Sequence, residues 1–362
     1  MKILLCTPFS GTVGGISLWA NRLFAYYKSK KHSDIELEIF SLSRTKSIHA
    51  NTPFSRRLFW GIYDYLAFIF KFTNKLFQKD INIVHLVSSG SFGLIKDIIF
   101  LLLSKIFLKK SILHFRFGRI PIILKNKNWE YYLLKISIYL SKTVIVIDSN
   151  SYNSLKENGM LNVIYIPNPL DDSVVEFVSK NQIERKINSI LFAGHLVPTK
   201  GIFELVEATK EMETINILFA GFYNEDIAEK IKELTNNSSR YILLGEKPYE
   251  ETLKEMLKCG IFILPSYTEG FPNVILESMA CGCPIISTKV GAIPDMLSSF
   301  ENRSTGVCIE PKNANQLRIE ILNIYQNYDE ALKMGHNASK KVVNDYSMDK
   351  IWNELKNLWC NI

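Results

Sequence analysis

The chain has 362 residues, 47% hydrophobic and 22% charged, with a formal net charge of +7. That length and balance exclude a disordered or low-complexity chain and suit two ordered domains with full cores. Six cysteines, at positions 6, 259, 281, 283, 308 and 360, form no CxxC pair and no metal-ligand spacing, which argues against a disulfide scaffold or a zinc module.

The start, "MKILLCTPF", runs straight into a strand without a basic and apolar leader, so the expectation is a chain that stays in the cytoplasm. In the following "GTVGGIS", Gly11, Gly14 and Gly15 lie between that strand and a helix beginning near Ile16. Both a structural tight turn and an anion cradle at a helix N-terminus fit that pattern. "ELEIFSLS" reads as a second strand. "RRLFWGIYDYLAFIFKFTNKLFQK" (56–79) then interleaves aromatic residues with Arg56, Arg57, Lys71, Lys75 and Lys79. Its apolar runs fall short of the roughly 18 residues a membrane span needs, so it reads either as a helix lying on a bilayer surface or as a core-facing helix. For 97–110, "DIIFLLLSKIFLKK", a core-facing helix is expected.

Further strands follow at "INIVHLVSS", "SILHFRF", "TVIVIDS" and "NVIYIPNP", and then at "SILFAGHL", "INILFAGF", "YILLGE", "IFILPS", "PIISTKV" and "GVCIEP". Strands this continuously apolar are covered on both faces, which implies parallel sheets in an α/β fold. Twelve strands divide into two doubly wound, Rossmann-like domains facing one another across a cleft. The polar stretch 171–186, "DDSVVEFVSKNQIERK", marks the boundary, giving expected domains 1–172 and 173–345. The tail "DYSMDKIWNELKNLW" reads as one amphipathic helix after the last strand, with 346–362 packing back toward the first domain.

The charge is asymmetric. Residues 1–170 hold 23 Lys+Arg against 9 Asp+Glu, a net of +14, and residues 171–362 hold 20 against 27, a net of −7. A basic first half suits an anionic partner, and with its apolar stretches an anionic membrane surface fits better than nucleic acid, for which no recognition motif is present.

In open α/β sheets ligands sit beyond the carboxyl ends of the strands, so the loops there carry the chemistry. "FAGHLVPTKG" puts His195 and Lys200 at such a turn, where a lysine can neutralise a phosphate as a point charge. "SYTEGFPNVILESMACGCP" (266–284) carries Glu269 on a loop and Glu277 eight positions later on a helix entered through Gly270 and Pro272. That separation suits acid and base action on one bond poorly. Two ligand contacts are the better reading, one carboxylate toward a sugar and one toward ribose hydroxyls, with the N–H groups of Gly270, Phe271 and Asn273 facing the ligand's negative part.

The segment "PSYTEGFPNVILESMACGCPIISTKVGAIPDML", with its two glutamates separated by seven residues, resembles the signature of the group 1, or family 4, retaining glycosyltransferases. The likeness extends through "FAGHLVPTKG", "IPNPLD" and "LLGEKPYEE", and in the first half to the glycine loop and "SILHFRFG". It implies the GT-B fold and a nucleotide-sugar donor bound mainly by the second domain. By that resemblance Glu277 holds the ribose, Lys200 the diphosphate, Glu269 and the following amides the donor sugar, and the backbone near Lys247 the base. His114 matches the family histidine that faces the donor sugar, while a buried structural histidine also fits the residue itself. Where the family usually has an arginine this chain has His195, so weaker donor binding, or help from another cation such as Arg119, is expected. The sequence has no DxD motif, and no metal or other cofactor is expected. The implied reaction is retaining, with same-face attack on a UDP-sugar or a GDP-sugar by a glycan or polyprenyl-linked acceptor, in assembly of bacterial surface polysaccharide at the inner face of the membrane. A nucleotide-sugar epimerase, a sugar phosphorylase and a non-catalytic ligand-binding protein are the alternatives.

Overall fold

The computed structural model describes residues 1–9, 14–30, 34–43 and 54–362, with side chains from 63 onward in the last of these. Gly11 and the first part of the 56–79 side chains lie outside the described residues.

The chain forms two units. One comprises Met1–Pro167 with Trp352–Ile362, and the other Asn168–Ile351. The first carries strands β1 (Lys2–Thr7), β2 (Glu36–Ser41), β3 (Ile81–Ser88), β4 (Lys110–Phe115), β5 (Thr143–Val146) and β6 (Val163–Tyr165). They pair parallel in the order β2-β1-β3-β4-β5-β6. The second carries β7 (Lys186–Ala193), β8 (Asn216–Ala220), β9 (Tyr241–Gly245), β10 (Cys259–Leu264), β11 (Ile285–Thr288) and β12 (Val307–Ile309), parallel in the order β12-β11-β10-β7-β8-β9.

The central strands are buried on both faces, as their unbroken apolar runs require. Leu4, Val84 and Leu113 are buried in the first unit, and Leu191, Phe192, Phe262 and Ile263 in the second. Each such side chain contributes about 1.5–3 kcal/mol on burial. Helices are delimited by local chemistry. Asn128, Asp148, Asn224 and Asn313 each accept a backbone N–H at the start of the helix that follows.

Two features differ from the sequence reading. Within 171–186, residues Asp172–Lys180 form a helix capped by Asp171 with Val174 fully buried, so this stretch is part of the second unit, which begins at Asn168. Val174 and Val178, one turn apart, supply an apolar face that the overall polarity of the stretch conceals. After β12 the chain makes three helices, Ala314–Gln326, Tyr328–Tyr346 and Met348–Asn361; the last is the expected C-terminal helix, but the tail "DYSMDKIWNELKNLW" straddles the last two. Ser347, extended at φ −61° and ψ 148°, separates the last two, so the stretch beginning at Asp345 is not one helix.

Trp352 and Trp359 anchor the last helix in the first unit. Trp352 stacks on Tyr27 at 5.9 Å, and Trp359 Nε1 donates to His85 Nδ1 at 3.1 Å. The helix Phe54–Leu76 buries Phe72 and Leu76 and exposes Leu66 and Phe70, so its described part has both a core face and a surface face. The expected core helix is Gly93–Ile106. It buries Phe100 and Leu101, while Leu102 and Ile106 are exposed. Among the described residues no helix is long and apolar enough to cross a membrane.

Candidate active site

In the second unit the strand order reverses between β7 and β10, so the loops leaving those strands part and open a crevice. Lys200 lies on the loop after β7 and Glu269 on the loop after β10. Lys200 Nζ donates to Glu269 Oε1 at 2.6 Å, and Ser266 Oγ donates to the same oxygen at 2.7 Å. The two loops are fixed to each other. Tyr267 N donates to Thr199 O at 2.9 Å, and Gly201, at φ 72°, lies so close that a Cβ there would meet the Pro265 carbonyl oxygen at 2.0 Å. On the other side Ala292 N donates to Gly270 O, and Thr288 Oγ1 donates to Ser266 O at 2.6 Å. Gly201→Ala is therefore expected to cost about 2–4 kcal/mol, combining left-handed strain with overpacking. A urea melt should show a lower midpoint with unchanged slope.

Pro272 is the N-cap of the helix Asn273–Ala280, and no side chain caps that helix. Glu277, a little over one turn in, is buried, and its Oε1 accepts from Tyr249 Oη at 2.9 Å. Phe271 packs edge-on against Tyr346 at 6.0 Å. The carboxyl ends of β7, β8 and β9 pass through Gly194, Gly221 and Gly245, all with positive φ. A Cβ on Gly221 would meet the Gly194 carbonyl at 2.0 Å, so the backbone there is close-packed. Beside these turns His195 is exposed, with Phe222 edge-on at 6.2 Å, and Lys247 pairs with Glu251 at 3.5 Å. Lys200, Glu269 and Gly270 thus meet at one crevice. Direct pairing of Lys200 with Glu269, and the tethers Ser266 and Tyr249, were not anticipated from the sequence, though both tethers carry hydroxyls beside the strand ends.

In the first unit the strand order reverses between β1 and β3. Gly14, at φ 153°, is the N-cap of the helix Gly15–Ser29, which starts one residue before Ile16 and also has no side-chain cap. At the reversal a cavity of ≈ 120 Å³ is lined by Ile16, Phe68, Val87, Lys96 and Asp97. Asp97 is buried and accepts from both Ser88 Oγ and Lys96 Nζ at 2.5 Å.

His114, the last residue but one of β4, is 1% exposed, hydrogen-bonded through Nδ1 to His85 Nε2 at 3.2 Å and edge-on to Trp19 at 5.1 Å. Burial, reinforced by the nearby Arg116 charge, holds His85 down to about 3 and His114 well below the ordinary histidine value, so both are neutral at pH 7. Arg119 is not a spare cation for a phosphate. Its guanidinium grips Glu130 through two bonds, at 2.7 and 2.6 Å, and donates to Ser91 Oγ at 2.7 Å. The bidentate geometry neutralises the charge within the first unit.

Residues 175–341 match the family model of group 1 glycosyl transferases. An uncharacterized glycosyltransferase of Methanocaldococcus jannaschii is 27% identical over 354 residues, covering 97% of this chain and 95% of that protein. The chain is a glycosyltransferase. It is also 28% identical over 235 residues to an N-acetylgalactosamine-N,N'-diacetylbacillosaminyl-diphospho-undecaprenol 4-alpha-N-acetylgalactosaminyltransferase of Campylobacter jejuni, covering 52% of this chain and 62% of that enzyme. Anabaena HepE, solved in complex with UDP, superposes with a TM-score of 0.74 at 16% identity over all of both chains. Two parallel six-stranded sheets flanked by helices are the GT-B architecture of such structures.

Proposed function

We propose that this glycosyltransferase moves a sugar from a nucleotide-sugar donor, a UDP-sugar in preference to a GDP-sugar, to a polyprenyl-linked saccharide during assembly of bacterial surface polysaccharide. The observation that carries this reading is the Lys200–Glu269 ion pair on two locked loops at the strand-order reversal. A diphosphate entering there competes with Glu269 for Lys200. The displaced carboxylate is then free to accept from hydroxyls of the donor sugar. Glu277, held by Tyr249, takes the paired ribose hydroxyls, and the uncapped start of Asn273–Ala280 offers N–H groups to negative charge.

Charge on the departing nucleotide diphosphate is balanced by Lys200 and by backbone N–H groups, so the reaction proceeds without a metal ion or other cofactor. Attack from the face the nucleotide leaves, with the departing phosphate oxygen taking the acceptor's proton, retains the anomeric configuration. His195, a ring in place of a guanidinium, makes the phosphate contact weaker than an arginine would. Since Arg119 is committed to Glu130, it does not compensate.

The acceptor reading draws on the Campylobacter jejuni relative, whose name specifies a diphospho-undecaprenol substrate, and the UDP preference on HepE, whose crystals hold UDP. Exposed Leu66, Phe70 and Phe77 with Lys71 and Lys79 suit contact with an anionic bilayer, consistent with work at the cytoplasmic face of a membrane, while Lys75 is paired with Glu38.

Titration calorimetry with UDP and with GDP, in EDTA and in magnesium, tests the donor site. UDP should bind equally well in EDTA, and Glu277→Ala should weaken it about tenfold to a hundredfold through lost hydrogen bonds to a charged group. Binding of neither nucleotide, or binding that requires magnesium, would refute this reading.

A further inference from the structure

A chain of buried side chains in the first unit fixes the position of one proton. Trp359 Nε1 can only donate, so the 3.1 Å contact makes His85 Nδ1 an acceptor. Neutral His85 then carries its hydrogen on Nε2 and gives it to His114 Nδ1, 3.2 Å away. His114 in turn must hold its own hydrogen on Nε2. That nitrogen faces Arg116 NH1 at 3.4 Å, and a guanidinium has no lone pair to accept it. Two donors therefore meet without an acceptor between them.

Arg116 lacks a counter-charge as well. Its guanidinium lies over the Trp19 ring at 4.2 Å, and among the described residues no carboxylate pairs with it. The residues outside the description contain no Asp or Glu that could. By contrast Arg119, three positions on, is fully matched by Glu130.

We propose that His114 Nε2–H and Arg116 form a two-donor site for a phosphoryl oxygen, and that Trp359 and His85 are positioning residues that set the required tautomer. A charged acceptor is favoured over a hydroxyl because it satisfies both hydrogens and balances the guanidinium. A nucleotide donor and a prenyl diphosphate acceptor present the same group. The choice between those two sources rests on the transferase reading above. The proton order does not.

The test is nitrogen NMR of the full chain labelled at histidine, at pH 7. In the wild type His114 should be protonated on Nε2 and bare on Nδ1. Trp359→Phe, which removes the fixed donor, should give a mixture of tautomers. His85→Gln should preserve the wild-type pattern, because a carboxamide can accept from Trp359 and donate to His114. Inorganic pyrophosphate should move the His114 Nε2–H signal, and Arg116→Ala should raise the concentration needed about tenfold or more. The same movement with UDP assigns the oxygen to the donor, and with farnesyl diphosphate to the acceptor. A wild-type His114 protonated on Nδ1 would overturn the relay, and a signal that none of the three phosphates moves would overturn the site. Neither result depends on whether UDP binds in the calorimeter, so failure here is separable from failure of the donor-site reading.

Discussion

Lys200→Ala should lower kcat/KM for sugar transfer by about a hundredfold to a thousandfold, the scale of losing one preorganised donor to a developing oxyanion. The loss should fall mainly on kcat, because charge on the diphosphate is greatest as the sugar departs. The same substitution strips Glu269, whose side chain is only 10% exposed, of its counter-charge, so stability should fall too. The two effects can be separated. In the double variant Lys200→Ala with Glu269→Ala, the stranded carboxylate is gone and stability should largely return, while transfer stays lost. Lys200→Arg keeps the charge and should recover part of the rate. Nucleotide release measured against donor concentration, alongside urea melts of all four proteins, decides the matter. A double variant that regains transfer together with stability would reduce Lys200 to a structural role.

How much of this was legible in the sequence depends on the distance along the chain over which each feature is decided. All twelve strands were readable, since a parallel strand buried on both faces declares itself as a short β-branched and apolar run, as in "SILFAG" or "IFILP". Glu269 and Lys200 were readable as residues just beyond strand ends. Their direct contact was not, because they are 69 positions apart and meet only because β10 lies beside β7. One-dimensional patterning carries no strand order. The same holds for Trp359 and His85, 274 positions apart. Arg116 is an intermediate case. In a strand, side chains two apart share a face, so "HFR" already sets Arg116 beside His114, whereas the engagement of Arg119 by Glu130, on the helix Trp129–Leu140, is not legible locally. The helix within 171–186, where the sequence places a domain boundary, is hidden for a local reason. Its apolar face is only one turn wide at Val174 and Val178, and the surrounding charges mask so narrow a stripe.

Acid should destabilise the first unit well above the range in which carboxylates titrate, and the two buried histidines give the reason. His85 is neutral in the fold with its protonation pushed down to about 3, and His114 is depressed in the same direction. In the unfolded chain both regain the ordinary value of about 6.5. Below that pH the unfolded chain takes up protons that the folded chain refuses. The stabilisation is therefore complete above about pH 6.5 and is lost as pH falls below it, for His85 down to about 3, with a slope of at most about 1.4 kcal/mol per pH unit for each histidine. The two losses have the same sign, so together they remove a sizeable share of the 5–15 kcal/mol typical of a domain. Folded carboxylates held low by partners, such as Glu130 beside Arg119, add a loss of the same sign but at lower pH. The interval between pH 6.5 and 5 therefore isolates the histidines. His85→Gln keeps both hydrogen bonds and does not titrate, so over that interval its stability should fall less steeply than the wild type's by about 1 kcal/mol per pH unit. Urea melts at half-unit steps, followed by fluorescence of the chain's 5 tryptophans, all of which lie in that unit, measure both slopes. Equal slopes would mean that His85 takes up a proton in the folded chain as readily as in the unfolded one, and that burial beside Arg116 does not hold it neutral.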